Sequence, residues 1–67
     1  MRVYITNSES KANYKVFIVA SDSRQKNYQL IKDGRLVTSE SQADVKIFLV
    51  NSESKANILI TAKNMPK

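Results

Sequence analysis

The chain has no cysteine, no histidine and no tryptophan, and among its 67 residues there is one glycine and one proline. Without Cys it can form neither a disulfide nor a thiolate metal site. Without His it lacks the commonest metal ligand and the commonest general base. A metal would have to rest on six scattered carboxylates, and no metal or other cofactor is expected. A single glycine rules out a glycine-rich phosphate cradle, and recurrent loops built without glycine cannot lean on left-handed backbone. Long apolar runs are also missing. The longest, Val16–Ala20 and Ile47–Val50, fall far short of the roughly 20 residues a bilayer requires. MRVYITNSES offers no apolar run of signal-peptide length. The expected setting is the cytoplasm, away from membranes.

Positive charge is plentiful: eleven Lys and Arg face six Asp and Glu, a net charge of +5. Such an excess draws nucleic acid or acidic protein surfaces through its long-range field, and it equally serves solubility. So short a chain makes one small domain. With neither disulfide nor metal to staple it, self-association is a common way to add burial.

The heptapeptide NSESKAN occurs at residues 7–13 and again at 51–57. It belongs to a longer pattern, because TSESQADVKIFLV at 38–50 lies over NSESKANYKVFIV at 7–19. A worn copy, ASDSRQKNYQLIK, fills 20–32, and five extra residues, Asp33 to Val37, precede the copy that starts at Thr38. The chain therefore reads as thirteen-residue units behind a leading strand, and internal repetition is its strongest signal.

The second half of each unit (YKVFIV, VKIFLV, NILITA, with RVYIT at the front) is rich in β-branched and aromatic residues and alternates as a strand does. The first half predicts one helical turn. Asn7 or Ser8 would cap its free N–H groups, and Ser39 with Gln42 has capping-box spacing. Glu9, Asp22, Glu40 and Glu53 lie near the positive end of their turns. Ala12, Ala43 and Ala56 are small enough to lie against a sheet. Asn13, Asp44 and Asn57 would close each turn in left-handed geometry. Asp33-Gly34, between two strand-like runs, reads as a two-residue hairpin.

These elements predict a mainly β domain, bordering on α+β, over residues 1–62, with 63–67 frayed. Strands are expected at 2–6, 14–19, 28–32, 35–38, 45–50 and 57–62. Connectors of about seven residues are short for parallel crossovers, so the expected arrangement is a single antiparallel sheet of five or six strands. The alternative is a compact parallel solenoid with thirteen residues per coil. Alternation assigns Val3, Ile5, Tyr14, Val16, Ile18, Tyr28, Leu30, Val45, Ile47, Leu49, Ile58 and Ile60 to the core.

The opposite face mixes cations with aromatics, and it holds the candidate binding residues Arg2, Tyr4, Lys15, Phe17, Lys46 and Phe48. Basic and aromatic residues interleaved on a sheet suit single-stranded nucleic acid. An apolar stripe edged by lysine stems also suits a homo-oligomeric contact, and duplication alone explains why the stripe is regular. A non-enzymatic structural or interaction module that self-associates is the leading expectation, and nucleic-acid binding through the stripe is the alternative. Nothing suggests catalysis. Serines recur, but no His can activate one, and a Ser10–Lys11 pairing competes with a plain capping role.

The phrase x-S-E-S-Q-A-D-x-K-I-F-x-V, present as TSESQADVKIFLV, resembles the repeat of an uncharacterised family of short bacterial proteins. There, K-V-Y/F-x-V strands alternate with D/N-S-x-S-x-A-D/N connectors. The resemblance covers most of residues 1–62. It is best at 38–57 and departs in SDSRQKN, which lacks the Ala and has Asn27 for the closing Asp. It implies a repeat-built fold and carries no site residues.

Overall fold

Strands form where β-branched and aromatic residues alternate: β1 (Arg2–Ile5), β2 (Tyr14–Val19), β3 (Arg35–Leu36), β4 (Val45–Leu49) and β5 (Ile58–Thr61). The computed structural model describes residues 1–67 and contains no α-helix. Single 3₁₀ turns occupy the connectors at Glu9–Lys11, Asp22–Arg24, Glu40–Gln42 and Glu53–Lys55, one turn in each as expected.

All five strands lie in one sheet in the order β3-β1-β4-β2-β5. Every pairing between them is parallel, and the sheet curls like a half-barrel. The antiparallel expectation is overturned, and the parallel-solenoid alternative describes the winding. The register explains why short connectors suffice. Ile5, at the end of β1, and Tyr14, at the start of β2, both stand opposite Ile47. Leu36 and Val45 likewise flank Val3, and Leu49 and Ile58 flank Val16. Each connector thus leaves one strand and enters the next at the same height. It has only to step sideways over one intervening strand, about 10 Å, and never runs back along a strand. The long crossover that parallel strands normally need is absent because the strands are staggered like stairs.

The strand that each connector steps over belongs to a different part of the chain. One arm supplies β1 and β2, the other supplies β3, β4 and β5, and the two alternate across the sheet. Val3, Ile47, Val16 and Ile60 climb diagonally through it and are fully buried. Thirteen residues before Ile47 stands Gly34. Three residues earlier, Ile31 is fully buried in the core cluster with Val3, Val16, Ile47, Ile58 and Ile60.

Residues 20–34 join the arms. Lys26 makes an antiparallel bridge with Leu59 beside β5, Asn27 turns left-handed (φ 56°), and Tyr28–Leu30 forms a 3₁₀ turn. The chain then reaches β3 at the opposite edge. The strand expected at 28–32 is therefore a turn: Tyr28 and Ile31, three residues apart, fall on one side of it and pack on the core. Nor is there a hairpin at Asp33-Gly34. Asp33 has φ 68° while Gly34 has no positive φ, and β3 runs parallel to β1.

Four of the expected core residues, Ile5, Ile18, Leu30 and Leu49, are exposed, while Tyr14, Tyr28 and Val45 are half-buried. The segment expected to fray is docked: Ala62–Asn64 forms a 3₁₀ turn, Met65 packs against the core and Pro66 is buried.

Candidate interaction surface

The repeated polar letters are used in building the sheet. The Asn13 N–H donates to the Lys46 carbonyl at 2.7 Å, and its Oδ1 accepts from the Lys46 N–H at 2.8 Å. Asp44 makes the same reciprocal pair with Arg2 (2.8 and 2.8 Å), and Asn57 with Lys15 (2.8 and 3.0 Å). Each closing Asn or Asp thus stitches the foot of its strand to the neighbouring strand from the other arm. None of the three is left-handed, since Asn27 and Asp33 are the only non-glycine residues with positive φ.

The serines depart from expectation in the same way. Ser8, Ser21, Ser39 and Ser52 precede their turns but make no side-chain cap. Each hydroxyl pairs instead with that of the serine two residues on, at 2.9–3.3 Å. Ser10, the serine considered with Lys11, has Ser8 Oγ as its partner.

On the mixed face, the six candidate residues divide between neighbouring strands. Tyr4 stands opposite Lys46 and Phe48 opposite Lys15, while Phe17 faces Leu59 and Arg2 faces Arg35. The sheet therefore brings them into one stripe, although two features reduce what the stripe offers a partner. Tyr4, Phe17 and Phe48 are already half-buried within the single chain. The three cations are also paired with carboxylates of the chain's own connectors: Lys15 with Glu9 at 3.5 Å, Lys46 with Glu40 at 3.9 Å and Arg2 with Asp44 at 3.7 Å. Exposed pairs of this kind add little stability, but they set the stripe's positive charge against acids already in place. The Asp44 pKa is lowered from its ordinary value, chiefly by the hydrogen bond from the Arg2 N–H; desolvation opposes this, and the Arg2 guanidinium adds to the lowering.

A second surface consists of three residues assigned above to the core, Ile5, Leu49 and Ile18, together with Leu36. Leu36, Ile5, Leu49 and Ile18 are 37–43% exposed. They occupy one position of the repeat, thirteen residues apart within each arm. They sit at the tops of β3, β1, β4 and β2, beside Val3, Ile47, Val16 and Ile60, and so form an apolar ridge running diagonally over four consecutive strands. The recurrence at thirteen residues was the available signal. Alternation alone could not show that residues 20–34 and the C-terminal segment cover the lower rows of this face and leave the top row bare.

The hollows between these features are open and small to moderate in volume. The largest, about 550 Å³, lies between Glu9, Tyr14, Lys15 and Asn57, where the Lys15 ammonium is paired with Glu9 and its backbone N–H donates to Asn57 Oδ1. No three carboxylates gather where one metal ion could be held. No helix is long and apolar enough to cross a membrane.

No curated protein and no solved structure matches the chain. A family model described as the 7(1) septoil knot domain matches residues 1–66. This small protein built of repeats belongs to the 7(1) septoil knot domain family.

Proposed function

We propose that the protein is a non-enzymatic interaction module that self-associates, and that its contact surface is the ridge of Leu36, Ile5, Leu49 and Ile18. The observation that carries this reading is the exposure of four large aliphatic side chains in one unbroken diagonal. Single exposed aliphatics are commonplace, whereas a contiguous row marks a contact surface. A regular ridge is also self-complementary, since a twofold rotation lays it against its own copy.

The sheet edges offer less. The outer side of β5 is bridged by Lys26, and β3 is two residues long and carries Arg35, both devices that discourage strand addition. Association is not required to complete the fold. The accessible surface, 4379 Å², matches the ~4,300 Å² that scaling gives for a monomer of this mass. The stripe has less support, either as this contact or as a single-stranded nucleic-acid platform, because its cations are paired and its rings half-covered. A bacterial, cytoplasmic setting belongs to the same proposal.

Light scattering across a concentration series tests it. The wild-type chain should dimerise, more strongly at high salt as repulsion between two +5 copies is screened. Ile5→Ser with Leu49→Ser should give a folded monomer. A wild-type chain that stays monomeric throughout, or a dimer indifferent to these substitutions, overturns the reading.

A further inference from the structure

We infer that the β3 edge, where the chain's unpaired cations gather beside Gly34, is a docking site for the phosphate backbone of single-stranded nucleic acid. Five of the six carboxylates are engaged in ion pairs: Glu9, Asp22, Glu40, Asp44 and Glu53, the last with Arg24. Six cations have no carboxylate partner, namely Lys11, Lys26, Lys32, Arg35, Lys55 and Lys67. The chain's net positive charge is therefore concentrated in these residues.

Two of the six share one hollow, and a third, Arg35, lies next to it in the chain on β3. Lys32 and Lys67 line one hollow of about 230 Å³ beside Gly34, and Asp33 is the one carboxylate there. Lys63 lines it too but is committed to Asp22 at 2.9 Å. The Lys67 N–H donates to the Gly34 carbonyl at 3.4 Å, which holds the end of the chain at this edge. Arg35 follows Gly34 directly and stands in register with Arg2. Like charges directly opposite one another are unfavourable, and of the two only Arg2 has a carboxylate partner, Asp44. A ligand bringing several negative charges would supply the missing partners.

The hollow is below the ~300–1,000 Å³ range of pockets that enclose a small molecule, so it does not engulf a nucleotide. Cations set along an edge suit successive phosphates of a strand whose bases face solvent, a contact blind to sequence. With three phosphates neutralised, the affinity for a single strand should fall with log salt at a slope of about −2, or roughly 20-fold between about 50 and 200 mM.

The test is fluorescence anisotropy with labelled oligothymidylate and a mixed-sequence RNA of equal length, with dichroism verifying the fold of each variant. Both probes should bind alike. Lys32→Gln/Arg35→Gln/Lys67→Gln should weaken binding about 10-fold or more and remove most of the salt slope. Lys11→Gln/Lys26→Gln/Lys55→Gln, which removes the same charge elsewhere, should weaken it less than about 3-fold. Lys32→Arg/Arg35→Lys/Lys67→Arg should keep it. No binding at about 50 mM salt, or equal losses from the two neutral triples, overturns the inference.

Discussion

The two arms and the segment between them solve different problems. In the arms, three connectors do one thing, a level sidestep over a strand, and they use the same letters to do it: a serine pair, an acidic residue opening the turn, an alanine, and an Asn or Asp stitched to the strand beside it. Residues 20–34 perform the one step that has no counterpart, from one edge of the sheet to the other. Both left-handed residues and the one glycine lie there, as does the core residue Ile31. So does Gln25, whose Oε1 accepts from the Thr61 N–H and hydroxyl and from the Asn64 amide at 2.8–3.2 Å. Repetition built the staircase, and the segment holding the worn copy, which keeps the serine pair and the turn, closes it.

The sharpest way to break this contrast is at Ile31. Ile31→Ala empties a fully buried site and should cost about 3 kcal/mol in urea unfolding, whereas Ile18→Ala, on the exposed ridge, should stay within about 0.5 kcal/mol. Equal losses would mean that the crossing segment does not fill the core. Next in size is Gly34→Ala. An added Cβ would lie 2.9 Å from Val3 Cγ2 and 3.0 Å from the Ile31 carbonyl oxygen. Overpacking of about 1–3 kcal/mol is expected, and an unchanged midpoint would show that the glycine is not there for close approach.

Within the arms the effects should be smaller and alike. Asn13→Ala and Asn57→Ala each remove a side-chain acceptor from a reciprocal pair and should each cost about 1 kcal/mol. Asn13→Asp should cost less, because Asp44 fills the same role with a carboxylate. The smallest effect is pH-dependent. The folded-state pKa of Asp44 is lowered, so its contribution is present above the unfolded value, about 3.9, and is lost as pH falls through the folded value. Asp44→Asn keeps an acceptor for the Arg2 N–H and loses the charge. The stability gap between wild type and this variant should therefore close in acid, and a gap constant with pH would contradict the assignment.

What could be read from the residues was local. Strand positions at 14–19 and 45–50, the one-turn connectors and the thirteen-residue period all follow from alternation and recurrence, which neighbouring residues determine. Two features were not local. Strand direction depends on the stagger, and the stagger becomes visible only once Ile5 and Tyr14 are seen to share Ile47, a residue of the other arm. The fate of YQLIK was ambiguous in principle, because Tyr28 and Leu30 suit a strand while Tyr28 and Ile31 suit a tight turn. In the fold the turn wins, with Tyr28 and Ile31 both packed on the core. For the candidate site, the stripe was legible as a set of neighbours, but its neutralisation by Glu9, Glu40 and Asp44 was not, since that depends on how the connectors cross the sheet.

The interleaving of the two arms is tested most directly by backbone NOE contacts in the isotope-labelled protein. Ile47 should show parallel-strand contacts to both Ile5 and Tyr14, and Val16 to both Leu49 and Ile58. Direct pairing of β1 with β2, or an antiparallel contact pattern between any two of these strands, would contradict it.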